Sequence, residues 1–362
     1  MNETEQKMAG TLHEEDAVPA IPSGREMDEH AFQNLAEVYR REIQFHCYRM
    51  LGSVHDAEDL VQETFVRALR GRHQFEGRTS LRSWLYRIAT NACLNALSGR
   101  AIRPRILPDA SDHDSEGNVQ AEVNNEILWL QPYPDAALDE IADTAPDPGV
   151  RYEMRETVRL AFMAAIQYLP PKQRAVVLLR DAMGWSADET ADALSMSVAS
   201  ANSALQRART TLAKEFPNGL PNNRSAPTSS DRKLLERYVR AWEGADLDGL
   251  IALLKRDVVL AMPPFQQWYR GPENIRMVLA RAWHGPLAPP FRLIATSANQ
   301  QPTFGLYSFN NQTSKFKAVA IDLVEIQGDG IARIDAFIDP SLFPRFGLPL
   351  VLPGSSRRAG AE

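Results

Sequence analysis

Between Asp56 and Leu97 the chain sets two amphipathic helices of opposite chemistry end to end. In DAEDLVQETFVRAL, residues Ala57, Leu60, Val61, Thr64, Phe65, Ala68 and Leu69 recur at three- and four-residue spacing and form one apolar helical stripe. The other side carries Asp56, Glu58, Asp59, Gln62 and Glu63, an acidic front end that suits the positive N-terminal dipole. In LRSWLYRIATNACLNAL the stripe is Trp84, Leu85, Ile88, Ala89, Ala92, Cys93, Ala96 and Leu97. Its opposite face reads Arg82, Tyr86, Arg87, Thr90, Asn91 and Asn95, which is cationic, aromatic and amide in character and has no acid. Such a face suits phosphates and unstacked bases. One helix offers acid to a basic partner, and its neighbour offers cations and aromatics to an acidic one.

A second recognition pattern lies near the middle of the chain. From Tyr152 a helical run, MRETVRLAFMAAIQYL, reaches Pro170 and Pro171, which end one helix and open the next. PPKQRAVVLLRDAM is followed by a turn at Gly184–Trp185, then by Ser186 with Glu189 three residues on, the signature of a capping box. Ser195–Met196–Ser197 forms a further turn before the long final helix VASANSALQRARTTLAKEF, so the pair reads as a helix-turn-helix. The buried side of the final helix is Val198, Ala201, Leu205, Ala208 and Leu212; its outer face is Ser200, Asn202, Ser203, Gln206, Arg207 and Arg209. Asn and Gln pair with adenine, Arg with guanine, and Ser with either a base or a phosphate. Ser195 occupies a turn position that often carries glycine.

Both patterns resemble one family. HCYRMLGSVHDAEDLVQETFVRAL followed by FEGRTSLRSWLYRIATNACLNAL is similar to conserved region 2 of bacterial extracytoplasmic-function sigma factors of the sigma-70 family, over about fifty residues. The later helix-turn-helix resembles region 4 of the same family. The resemblance implies that Asp56, Glu58, Asp59, Gln62 and Glu63 dock on the β′ clamp helices of core RNA polymerase, whose β subunit is a further partner. It implies that Arg78, Thr79, Ser80, Ser83, Trp84, Tyr86, Arg87 and Asn91 melt and hold the promoter −10 element. The outer face from Ser200 to Arg209 would read the −35 element as duplex promoter DNA.

Between these parts, residues 101–150 are rich in proline and acid: Pro104, Pro108, Pro132, Pro134, Pro146 and Pro148 interrupt any long helix, and only Arg103 and Arg105 stand against eleven acids. Trp129, Leu130 and Tyr133 would be poorly placed in a free tether, and the WLQPYPD segment resembles one in actinobacterial sigma factors that carry an extra C-terminal domain. It is therefore expected to dock. Residues 1–27 read as a flexible extension, 28–100 as region 2, 151–216 as region 4, 217–230 as a linker and 351–362 as a flexible tail.

The remaining segment, 231–350, changes character. Two helices are followed by alternating strand patterns, including KFKAVAIDLVEI and an Asp-Gly hairpin signal in IQGDGIARI, which implies an α+β cone with a concave apolar interior. Its wording resembles SnoaL-like domains of the nuclear-transport-factor-two superfamily. Some members of that superfamily are enzymes with a pocket Asp or His, and here Asp257, Asp322, Asp339 and His284 are the candidates, with Tyr238, Trp242, Trp268 and Tyr269 as walls. None forms a pair of diagnostic spacing, and Asp322, alone in an alternating apolar strand, could face pocket or solvent. The expected fold is multidomain: two all-α sigma domains plus a C-terminal α+β SnoaL-like cone.

The function expected is a sigma subunit without catalysis, whose last domain modulates it in cis and accepts a small-molecule ligand or a regulatory protein. An enzyme with a helical regulatory domain and a one-component repressor are the competing readings; the acidic docking helix and strand-binding face argue against the repressor. A net charge of −6 does not exclude DNA binding, because affinity follows local patches. No apolar run approaches the roughly 18 residues of a membrane span. Cys47 and Cys93 are too few for a disulfide framework or zinc site, so a reducing cytoplasm and neither metal nor cofactor are expected. Whether regions 2 and 4 pack together in the free protein stays open at this level.

Overall fold

The computed structural model describes residues 28–75, 80–98, 105–106, 128–142, 155–215, 228–285 and 287–354. The expected N-terminal extension, Arg78 and Thr79 of the loop before the second helix, and most of the acidic linker lie outside them.

Helices α1 (Glu29–Glu37), α2 (Arg40–Leu51), α3 (Val54–Gly71) and α4 (Leu81–Ser98) form the first bundle. Asp28 and Ser53 cap α1 and α3 through their side chains, and Gly52 turns the chain between α2 and α3 at φ +70°. A Cβ on Gly52 would meet Arg105 and Leu130 at 3.0 Å, so the turn needs glycine for both conformation and space. The stripes of α3 and α4 bury Val61, Thr64, Ala68, Leu85, Ala89 and Cys93 around α2, which is buried from Phe45 to Leu51.

The linker departs from its sequence reading. Asp135–Ala142 forms a helix, α5, that starts directly after Pro134, where proline is compatible with a helix entrance. The expected helix from Tyr152 is also broken. Arg159 sits at φ −52°, ψ +138°, and only then does α6 (Leu160–Gln167) begin. The break frees the carbonyl of Val158, which accepts a hydrogen bond from Asn299 Nδ2 at 2.5 Å. A tertiary contact has replaced a helical one.

Helices α7 (Pro171–Arg180), α8 (Ala187–Ala193) and α9 (Val198–Glu215) complete the second helical unit. The capping box is present: Glu189 N donates to Ser186 Oγ at 3.1 Å and Ser186 N to Glu189 Oε2 at 2.7 Å. These bonds to Ser186 hold the Glu189 carboxyl below the usual range. Ser195 lies at φ +50°, a left-handed conformation that disfavours side chains. Ser195→Gly is expected to raise the stability of this unit by about 0.5–1 kcal/mol, read as a shift in its urea midpoint without a change in slope.

The last domain opens with α10 (Ser229–Glu243) and α11 (Leu247–Ile251). Strands β1 (Leu254–Ala261) and β2 (Trp268–Arg270) follow, then α12 (Pro272–Trp283). The long strands are β3 (Phe291–Ala298), β4 (Gln301–Asn310), β5 (Lys315–Gln327) and β6 (Gly330–Phe337). They form one sheet in the order β2-β1-β6-β5-β4-β3, with β1 and β6 parallel and the other neighbours antiparallel. The hairpin signalled by Asp329–Gly330 exists, although Gln327 pairs with Gly330, so Gly328 and Asp329 occupy the turn. After a 3-10 turn, Pro340–Phe346, strand β7 (Val351–Pro353) pairs with β5. The residues expected to begin a flexible tail are therefore partly sheet, because their backbone completes the β5 ladder.

Alternation along β5 serves two cores. Ala320, Asp322 and Val324 point into the cone, whereas Ile321 and Leu323 point to the opposite face with Tyr307, Phe337, Phe343 and Phe346, and join the core shared with the helical units. The sheet thus packs α10–α12 on one side and the rest of the protein on the other.

Candidate polymerase and nucleic-acid interfaces

On α3, the five acidic and amide positions share a side but not a fate. Asp59, Gln62 and Glu63 are exposed, Glu63 pairing with Arg67 on its own helix. Asp56 is held by Arg105 Nη2 at 2.6 Å, and the same guanidinium donates to Trp129 O. Glu58 is held by both arms of Arg345 from the last domain, Nε reaching Oε1 at 2.9 Å. Next to it, His55 Nε2 lies 3.0 Å from Ser341 Oγ, and its Nδ1 lies 3.1 Å from Gln131 Oε1. Gln131 Oε1 also accepts from Ser53 Oγ and Val54 N, so the linker caps the entrance of the docking helix. Two of the four acids, Asp56 and Glu58, are thus engaged by residues outside the helix.

On α4, Ser80 caps the helix, its Oγ accepting from Ser83 N at 3.1 Å, while Ser83, Arg87 and Asn91 are partly exposed. The outward positions assigned to Tyr86 and Thr90 are corrected by the structure: both are buried. Tyr86 packs edge-on against His46 at 4.9 Å and Trp185 at 5.7 Å, and Thr90 bonds to Tyr86 O and His46 Nε2. An aromatic ring facing another domain gains more by burial than by hydration, which periodicity alone cannot reveal. Trp84 lies on the stripe and is also buried, between Phe32 and Phe75. Burial, with Arg49 nearby, lowers the His46 pKa to about 3, and burial raises that of Tyr86.

These contacts answer whether the two helical units meet. Trp185 rests on Tyr86, Arg87 lies 3.9 Å from Asp192, and Arg174 reaches Met50 O at the end of α2. Arg174, buried, also donates to Ile166 O, Gln167 O, Gln167 Oε1 and Leu169 O. Burial lowers its pKa to about 10. By contrast, α9 leaves Ser200, Asn202, Ser203, Gln206, Arg207 and Arg209 all exposed. Arg209 pairs with Asp181 at 2.7 Å and Ser200 Oγ with Ser197 at 2.8 Å, and no acid occurs from Val198 to Lys214.

The seam between the helical units and the cone centres on a residue the sequence reading passed over. Asn299, at the β3–β4 turn with φ +51°, accepts from Tyr133 N at 2.8 Å, and its own N donates to Tyr133 O. Its Nδ2 reaches Val158 O and Tyr48 OH. Trp129 Nε1 donates to Pro264 O at 3.2 Å, and Gln300 N to Asp135 Oδ1. Burial raises the Asp135 pKa to about 6. An Asn-Gln pair between two strand patterns was the available signal for the turn; nothing in the sequence marked Arg345 or Ser341 as facing α3.

In the cone, Asp322 faces inward and is buried, with Tyr238 OH 3.4 Å from Oδ2. Trp242 and Tyr269 line the interior with it. Trp268 is buried but not in that lining, Asp257 and His284 are exposed, and Asp339 caps the 3-10 turn. Among the described residues no cluster of three His, Cys, Asp or Glu could hold a metal ion, and no helix is long and apolar enough to cross a membrane. Burial raises the Asp322 pKa from 3.8 to about 7. The folded state therefore keeps a proton that the unfolded chain loses above pH 4, so stability falls as pH rises from about 4 to 7 and is level beyond. Asp322→Asn removes this component. Its stability advantage over the wild type is expected to widen across that window by on the order of 4 kcal/mol, measured by denaturant titration at several pH values. His46 titrates with the opposite sign but is common to both proteins and cancels in the difference.

Two helical units present an acidic helix, a cationic helix and an open helix-turn-helix, and their sequences match a sigma-70 type of transcription factor. The sigma-70 region 2 family matches residues 35–102, the sigma-70 region 4 family 159–212, and the SnoaL-like domain family 235–334. The ECF RNA polymerase sigma factor SigG of Mycobacterium tuberculosis is 41% identical over 338 residues, which is 92% of this chain and 89% of that protein. The chain belongs to the extracytoplasmic-function sigma factor family. SigW of Bacillus subtilis, another ECF RNA polymerase sigma factor, is 31% identical over 189 residues, 52% of this chain and 90% of SigW. Among solved structures, the M. tuberculosis ECF sigma factor SigJ superposes with a TM-score of 0.51 at 20% identity, covering 88% of this chain and 99% of that one, which bears on fold alone.

Proposed function

We propose that this chain is a sigma subunit that binds core RNA polymerase in the cytoplasm and directs promoter-specific initiation, without chemistry of its own, and that its C-terminal cone holds it in check. The observation that carries the reading is the division of labour among three helix faces: acid on α3, cations and amides on α4, and an acid-free outer face on α9. Asp59, Gln62 and Glu63 meet the polymerase clamp first, and Asp56 and Glu58 complete the contact when Arg105 and Arg345 let go. Ser80, Ser83, Arg87 and Asn91 hold the −10 strand, joined by Arg78 and Thr79; Tyr86 takes part only after Trp185 and the second helical unit move away, and Trp84 only once its cover by Phe32 and Phe75 opens. Asn202, Gln206 and Arg207 read the −35 duplex, with Ser200, Ser203 and Arg209 at its phosphates.

Run-off transcription with core polymerase tests the whole: promoter-specific transcripts must depend on this protein, and none above core alone would sink the reading. Within it, Arg207→Ala is expected to cost about 1–3 kcal/mol of discrimination at one −35 base pair. Unchanged preference across a set of −35 variants would remove the recognition helix from this role.

A further inference from the structure

The cone encloses a cavity of about 400 Å³, within the range of small-molecule sites. Its walls are apolar, among them Leu250, Ile275, Leu279, Leu306 and Ile334. Buried polar groups interrupt them. Asp322 Oδ1, Tyr269 OH and Trp242 Nε1 all belong to lining residues, and none has a hydrogen-bond partner among the described residues; of the three, only the carboxylate must accept. Leaving such groups unmade costs roughly 1–3 kcal/mol each, and more for a charge. A core with no occupant would gain by replacing Asp322 with leucine or valine.

We propose that the cone is a binding site for a lipophilic alcohol or phenol, its apolar body filling the cavity and its hydroxyl donating to Asp322 Oδ1. A hydroxyl fits better than an amine or a ketone because it can donate to the ionised carboxylate and accept from the protonated one. With a pKa near 7, Asp322 populates both forms at neutral pH. Tyr269 offers a second hydrogen bond on the same lining, and Arg281, exposed, stands among the lining residues.

Occupancy would also be felt outside the cavity, and this extension rests on the proposed restraint of α3 by the cone. Met262, Phe265 and Ile338 line the cavity, and Ile338 N donates to Pro263 O at 2.7 Å. Between Met262 and Phe265, Pro264 O takes the bond from Trp129; just beyond Ile338, Ser341 and Arg345 hold His55 and Glu58. A guest that pushes this wall outward disturbs both attachments.

Isothermal titration of the full chain with 2-naphthol and with naphthalene provides the test, neither measurement involving polymerase. Saturable 1:1 binding of 2-naphthol, at least tenfold tighter than naphthalene, is expected. Asp322→Leu, with its fold checked by far-ultraviolet circular dichroism, should erase that preference while naphthalene still binds. No saturable binding, or equal affinities in the unmodified chain, overturns the site. Because coupling between sites is reciprocal, Arg345→Ala should tighten 2-naphthol at least threefold. Binding that ignores Arg345→Ala leaves the site standing and overturns the coupling. Failure of run-off transcription alongside normal naphthol binding would instead overturn the sigma reading.

Discussion

Arg345→Glu should increase transcription at limiting protein severalfold. The substitution places a second carboxylate against Glu58, where the bidentate guanidinium now sits, and turns attraction into repulsion. Coupling energies between sites commonly run 1–3 kcal/mol, or about five- to 150-fold in an equilibrium, so even the lower end is measurable. The checks are core-polymerase affinity by fluorescence anisotropy and run-off yield at sub-saturating sigma; both should rise together. Added salt should narrow the gap between variant and wild type, because a partly exposed pair is screened. If polymerase affinity were unchanged or lower, Arg345 would not be restraining α3.

Arg174→Ala should produce the largest loss of stability in the helical units, about 3–5 kcal/mol. One buried guanidinium serves five acceptors on α2, α6 and the turn that follows α6. Its removal strands several of them, and each buried unmet acceptor is costly. Lysine restores the charge but not the planar fork and should recover only a minor part. Denaturant unfolding followed by circular dichroism reads the loss. Amide exchange at the C-terminal end of α2 should accelerate as well, since Met50 O loses its partner.

The elements legible in the sequence were those specified by local rules. Ser186 and Glu189 marked the α8 entrance, the period of α9 put Arg207 outside and Ala208 inside, and the run around Asp329 announced a hairpin. What escaped was decided by contacts between distant residues. Tyr86 fits a polar face on periodicity, yet Trp185, far along the chain, buries it. The helix from Tyr152 has no local breaker at Arg159; Asn299 supplies the reason, by taking the Val158 carbonyl. Strand β5 reads as half-buried alternation at its ends, but AVAIDLV at its centre is apolar on both faces apart from Asp322, because two cores use it. For the same reason, the acidic positions of α3 were legible as a set, whereas their division into open and restrained members was not.

Asn299 also bears on timing. The groups it joins, Tyr48, Tyr133 and Val158, leave the ribosome well before it does. Synthesis at roughly 5–20 residues per second, with domains folding as they emerge, leaves an interval on the order of ten seconds. During it the helical units exist without the turn that pins them, and Glu58 is without Arg345. On the proposed reading, restraint would arrive only after the docking helix has been made. A newly made molecule would then meet polymerase before Arg345 reaches Glu58, and the ratio of synthesis rate to capture rate would set how much of it is ever restrained.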